Sequence, residues 1–163
     1  WVNLPAKDKM ADAGYQTLLN KDIPVVNLDN DAGSVRVIAG HLNDGKGPAR
    51  TFTPMDVWDM RLNQNGVARL PAIEGQSVAL VVLRGTVMIN GSAIAREGQL
   101  IHLDRAGDNV EIEANTDATV LWLSGQPIDE PIVGYGPFVM NTQEEIRQAI
   151  DDFNTGRFAT MAA

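Results

Sequence analysis

Apolar and polar positions alternate with a period of two through most of the chain up to Ser124, in short runs separated by turn residues. Pro24 to Asp29 reads as a short strand, and Asn30-Asp31-Ala32-Gly33 as a turn. From Ser34 to Ala39, Val35, Val37 and Ala39 share one face, with Arg36 and Ile38 on the other. Gly40 to Pro48, rich in Gly, Asn and Asp, reads as a mobile loop. Met55 to Leu62 alternates again, and Val67 to Leu70 is a short strand before Pro71. Ser77 to Leu83 is almost continuously apolar, which suits a strand buried on both faces. Thr86 to Ile89 and Ala93 to Arg96 flank Asn90-Gly91, a strong hairpin signal. Leu100 to Leu103, Val110 to Glu113 and Thr119 to Ser124 complete the series. About ten short strands at roughly 8–12-residue spacing, with no helical period between them, predict an antiparallel sandwich or barrel.

The pattern changes at Gly125. Between Gly125 and Thr142, three prolines and three glycines argue against a long helix or a central strand. Yet Ile128, Ile132, Val133, Tyr135, Phe138, Val139 and Met140 are too apolar for a free linker, so the stretch is expected as a strap buried across a surface. A helix follows. Thr142 and Glu145 have the spacing of a capping box, and Ile146, Ala149, Ile150 and Phe153 form one apolar stripe. Gly156 stands where a terminating residue belongs, and residues 157–163 read as a tail. At the other end, Lys7 to Asp12 reads as a charged turn, and Trp1-Val2-Asn3-Leu4 alternates and stops at Pro5, like the end of a strand whose partners lie upstream.

Composition narrows the classes. The 163 residues suit one domain with an appendage, and 44% apolar with 21% charged residues is ordinary for a globular protein. No run of about 18 apolar residues is present to span a membrane. The absence of cysteine excludes disulfides, thiolate metal sites and a cysteine nucleophile, and the chain is read as cytoplasmic. A net charge of −8 argues against direct nucleic-acid binding, which needs a positive footprint. Arg36, Lys46 and Arg50 are close in sequence but read as a solvated loop face.

The run Glu130-Pro131-Ile132-Val133-Gly134-Tyr135-Gly136-Pro137-Phe138-Val139-Met140-Asn141-Thr142, with Glu145-Ile146 and Ala149-Ile150-Asp151-Asp152-Phe153 after it, closely resembles the C-terminal signature of the pirin family. The opening Trp1 to Met10 and the segment Gly47-Pro48-Ala49-Arg50-Thr51-Phe52-Thr53-Pro54 resemble it too. The resemblance implies an all-β, cupin-type jelly roll with a C-terminal α-helix. It implies residues 1–4 as the last strand of a preceding cupin, residues 5–124 as the C-terminal barrel, and residues 125–163 as strap and helix. Pirins are bicupins whose metal, held by three histidines and a glutamate, sits in the N-terminal barrel. A divalent metal, iron by preference, is therefore expected upstream and none in this chain. The helix stripe Ile146, Ala149, Ile150 and Phe153, with Phe138 and Tyr135, is the expected interface with that barrel.

The barrel's own ligand positions can be registered on glycines. Counting from Gly66 and Gly85, the positions that carry ligands in a metal-binding cupin fall on Ala72, Glu74 and Val78; counting from Gly98, the last falls on Ile101. Alanine, valine and isoleucine donate nothing to a metal, and one carboxylate does not hold a transition metal tightly. His102 is one residue off, which in a strand turns its side chain to the opposite face. His41 lies in the glycine-rich loop, and both histidines read as surface or hydrogen-bonded residues; convergence of His41, His102 and Glu74 has no support in the sequence.

Other constellations are weaker. Asp56 and Asp59 do not fall on one strand face, while Asp129 and Glu130, beside prolines, read as turn formers that accept backbone hydrogen bonds. Ser77, Ser92 and Ser124 have no evident base. Trp58 and Trp122 read as core residues with satisfied indole donors, and Met55, Met60 and Met88 as gap fillers. Two functions are therefore set against each other. In the first, the chain is a metal-free structural and interaction domain of a pirin-like protein, whose parent resembles metal-dependent quercetin 2,3-dioxygenases and redox-responsive regulatory pirins; its partners are the N-terminal cupin, other proteins or a second copy of itself. In the second, it is a small-molecule binder or enzyme using the barrel interior around Glu74 and Trp58, with Glu74 as acid or base.

Overall fold

A computed structural model describes residues 1–157. The described chain forms two compact units: Leu18–Pro127, and Trp1–Thr17 together with residues 128–157. Residues 5–17 thus group with the C-terminal segment and not with the barrel strands.

The first unit is β-structure throughout. Its strands are β1 (Val25–Asn27), β2 (Gly33–Ala39), β3 (His41–Leu42), β4 (Gly45–Lys46), β5 (Met55–Leu62), β6 (Val67–Pro71), β7 (Ser77–Arg84), β8 (Thr86–Ile89), β9 (Ala93–Arg96), β10 (Leu100–His102), β11 (Asn109–Ala114) and β12 (Ala118–Gly125). A six-stranded sheet runs β1-β2-β5-β12-β7-β10, and a four-stranded sheet runs β6-β11-β8-β9. Every pairing is antiparallel. Alternation supplies the core: Val35 and Val37 from β2, Val78, Leu80 and Val82 from β7, and Val120 and Trp122 from β12 meet Leu70, Ile89 and Ile112 of the smaller sheet in one buried cluster. Consecutive strands that change sheets around a shared core give the expected jelly-roll barrel.

Two expectations need correction here. β7 is not buried on both faces: Val78, Leu80 and Val82 are buried, Ala79 and Val81 half-buried, and Leu83 exposed. An antiparallel sheet needs only one covered face, so a run of apolar residues does not by itself imply two. Residues 40–48 are not a free loop. β3 and β4 form a hairpin turned at Asn43 (φ 49°), and Leu42 is buried in the core. Gly47 lies so close to β2 that a Cβ there would stand 2.6 Å from backbone atoms of Ile38 and Ala39.

In the second unit residues 1–5 take no regular structure within this chain, and Ala6–Asp8 is a single 3-10 turn. The proline-rich stretch, expected to be irregular, contains a second hairpin, β13 (Val133–Tyr135) and β14 (Phe138–Met140). Its loop is Gly136-Pro137, with φ +55° at the glycine, so the two residues that disfavour a long strand are the ones that close a short hairpin. The stretch is also less buried than expected, with Ile132 and Tyr135 exposed. Helix α1 (Gln143–Asn154) follows, with the full capping box: Thr142 Oγ1 accepts from the Glu145 N–H, and Glu145 Oε2 accepts from the Thr142 N–H. Gly156 has the positive φ expected past a helix end. Residues 158–163, expected as the tail, lie outside the described residues.

Hydrogen bonds from the Asn141 and Thr142 backbone hold the Glu145 carboxyl below its ordinary value. A lowered folded-state value stabilises the helix start above the unfolded value, and that contribution is lost as pH falls through the folded one. Thr142→Ala removes the cap at a cost of about 1 kcal/mol. It is expected to speed amide exchange through α1, measured by NMR, while the Glu145 carboxyl, whose backbone donors at residues 141 and 142 remain, stays below its ordinary value.

Candidate functional site

The positions counted as ligand positions fall in the turn after β6 (Ala72, Glu74), on β7 (Val78) and on β10 (Ile101). Val78 is buried in the core, and Ile101 and Ala72 pack against it. The alternation expected at β10 holds: Ile101 turns inward, and His102, opposite Ala79, is exposed. Glu74 stands exposed in the turn between β6 and β7. It does not line the barrel interior, contrary to the reading that placed it with Trp58, because this turn carries it outward after Ala72. Around Ala72 and Val78 the remaining cavity is about 100 Å³, edged by Leu103, Ala106 and Val110. Among the described residues no three His, Asp or Glu side chains come close enough to hold a metal ion, so His41, His102 and Glu74 do not converge. The donor set of a transition-metal cupin does not fit here.

The barrel's largest side chains fill its interior. Trp58 and Trp122 face each other directly across β5 and β12, with ring centroids 4.9 Å apart and planes inclined by 19°. Both are essentially inaccessible to solvent, as expected of core residues. Among the described residues neither indole N–H meets an acceptor. Met60 is fully buried beside them.

Two polar arrangements were not visible in the sequence. Asp59 is the buried acid of the chain's described residues, and it accepts from Arg36 Nη1 at 2.9 Å and from Arg61 Nη1. Arg36 also donates to Asn20 Oδ1 at 2.7 Å. Arg36 and Asp59 stand opposite each other in the β2–β5 register, and that pairing is the signal that sequence spacing lacks. The second arrangement joins Asp56 and Ser124, also cross-strand partners, through a 2.8 Å hydrogen bond from the serine hydroxyl. The serine meets a carboxylate with no imidazole between them, which makes a structural pair and not a nucleophile.

In the unit containing α1, Glu130 behaves as expected of a backbone acceptor. Its Oε2 accepts from the Ala6 N–H at 2.6 Å and from Asn141 Nδ2 at 3.0 Å, tying the first residues to the start of the helix. Ile146 and Ala149 of the helix stripe are buried against Met140, with Val133, Phe138 and Ile150 around them. The hairpin of this chain therefore already covers half of the stripe expected to meet a neighbouring barrel. Phe153 and Tyr135 remain exposed, and Phe153 makes an edge-to-face contact with Phe138 at 6.1 Å.

Residues 57–159 match the family model of the pirin C-terminal cupin domain. The chain belongs to the pirin family. Human pirin is 33% identical over 162 residues, covering 96% of this chain and 55% of its own length. A Pseudomonas aeruginosa protein, PA2418, whose name assigns it provisionally to the quercetin 2,3-dioxygenases, is 52% identical over 158 residues, covering 97% of this chain and 55% of its own length. A crystal structure of quercetin 2,3-dioxygenase from Acinetobacter baumannii superposes with a TM-score of 0.92 at 44% identity, over 99% of this chain and 56% of that one. The chain thus spans about half the length of the pirin-family relatives it matches. No helix among the described residues is long and apolar enough to cross a membrane.

Proposed function

We propose that this chain is the non-catalytic cupin of a pirin-like protein, a structural and interaction domain that closes over a metal-bearing cupin lying upstream. The observation that carries this reading is the loss of donors at Ala72, Val78 and Ile101, with Glu74 turned out to solvent. The family's metal, iron or a similar divalent ion, and any dioxygenase chemistry on quercetin-like substrates then belong to the other half. The contact surface is supplied by the unit of residues 1–17 and 128–157, where Trp1, Ile132, Tyr135 and Phe153 are large, apolar and exposed. Exposed apolar groups of this kind mark interaction sites. The compartment assumed is the cytoplasm, in keeping with a chain without cysteine.

One paired preparation tests this. The 163-residue chain alone is expected to purify without stoichiometric iron or nickel, to show no turnover of quercetin, and to self-associate in sedimentation through its uncovered apolar groups. The same chain co-expressed with the upstream half is expected to carry one metal per complex and to lose that self-association. One iron or nickel bound per isolated chain, or quercetin turnover by it, overturns the proposal.

A further inference from the structure

A second cavity of the barrel unit lies between the β3–β4 hairpin, the start of β5 and the turn after β6. Its volume is about 430 Å³, within the range of about 300–1,000 Å³ typical of small-molecule sites. Trp58, Met55 and Ile73 give it apolar walls. His41 and Lys46 line it from the hairpin, where they stand directly opposite each other. Residues so paired hold their side chains on one face of the ribbon, with Cβ atoms about 4.5–5.5 Å apart.

Both side chains are exposed, and neither makes a hydrogen bond or ion pair with another described residue. In a chain of net charge −8, two basic groups without an acid partner beside one cavity are available to a ligand. The carboxylate lining the same cavity, Asp56, is engaged elsewhere. Its Oδ1 accepts from the His41 backbone N–H at 3.1 Å and its Oδ2 from the Ser124 hydroxyl at 2.8 Å. The hairpin is also held in place. A Cβ on Gly40 would stand 2.0 Å from Asp56 Oδ1, and Gly47 abuts β2, so neither end of the ribbon can move far. The His41–Lys46 pair is therefore presented on a fixed support, which lowers the ordering cost of binding.

We infer that this cavity binds a small organic acid, its apolar or aromatic body against Met55 and Ile73 and its carboxylate on Lys46 and His41. Lysine acts as a point charge toward the carboxylate, and the imidazole adds a directed donor. The site needs neither a metal nor the upstream half, so it is independent of the function proposed above.

The test is a titration of the isotopically labelled 163-residue chain with 1-naphthoate, with neutral 1-naphthamide as control, followed by amide and side-chain NMR. Saturable shifts are expected at His41, Lys46 and Gln76, and the amide is expected to bind at least about tenfold more weakly, the loss of one charge-assisted hydrogen bond. Lys46→Met should weaken naphthoate by about tenfold and His41→Gln by less. Both side chains are exposed, so both variants are expected to keep the wild-type spectrum elsewhere. Ile73→Glu, also at an exposed residue, puts a carboxylate against the ligand and should abolish binding. Absence of saturable shifts, equal binding of the amide, or unchanged affinity in Lys46→Met with His41→Gln overturns the inference.

Discussion

Trp122→Ala is expected to lower the free energy of unfolding by about 3–5 kcal/mol, the usual cost of emptying a buried aromatic site. Trp122 is fully buried in the middle of β12, between β5 and β7, so no flexible element can collapse into the space. The substitution also removes the stack on Trp58, and such pairs contribute about 0.5–1.5 kcal/mol beyond buried area. Stabilities of small domains lie at about 5–15 kcal/mol, so a large share of the total is at stake. Urea unfolding followed by circular dichroism measures it. Trp58→Ala and the double variant complete a cycle, and the double variant should cost less than the sum because the stack can be lost only once. A change below about 1 kcal/mol for Trp122→Ala would show that the two rings do not hold the barrel together.

Gly33→Ala is expected to cost about 3 kcal/mol, the joint effect of two terms of about 1–3 kcal/mol each. The first is conformational: Gly33 has φ +137°, a region that side-chain-bearing residues rarely enter. The second is steric, since a Cβ would stand 2.0 Å from the Arg61 carbonyl oxygen, which belongs to a paired strand and cannot yield. Gly91 separates the terms. It also has positive φ, at 63°, but a Cβ there meets nothing within 4 Å. Gly91→Ala should therefore cost only the conformational part, about 1 kcal/mol. Equal losses in the two variants by thermal unfolding would remove the steric explanation for Gly33.

Both predictions concern residues whose importance the sequence shows unequally. Trp122 lies in an alternating strand and reads as core. Gly33 reads as one more turn glycine in Asn-Asp-Ala-Gly, and only the approach of β5 reveals the constraint. The same division runs through the elements. β5, β8 and β9 fall on the residues that alternation and the Asn90-Gly91 turn mark out. β3, β4, β13 and β14, two or three residues each, are too short to show a period, and the glycines and prolines around them read as loop. The helix cap was legible because its partners lie three residues apart.

The candidate sites divide in the same way. The absence of ligands at Ala72, Val78 and Ile101 is a matter of residue type, which no fold alters. The inward turn of Ile101 and the outward turn of His102 follow from the two-residue repeat of a strand. Glu74 could not be placed this way, because it sits in a turn where that repeat does not apply. Asp59 between Arg36 and Arg61, the Asp56–Ser124 bond and the facing of His41 and Lys46 are all products of strand register.

The pattern of residues by itself determined the longer strands, the buried face of those that alternate, where the helix begins, and which residue types stand at the positions counted from Gly66, Gly85 and Gly98. These are local properties, set by neighbours within a few positions. Tertiary structure alone decided the Trp58–Trp122 stack, the burial of Asp59, the hairpin that covers Ile146 and Ala149, and the cavity bordered by His41 and Lys46. Alternation selects a face but not a neighbour, and the neighbour is chosen only when strands distant in sequence come into register.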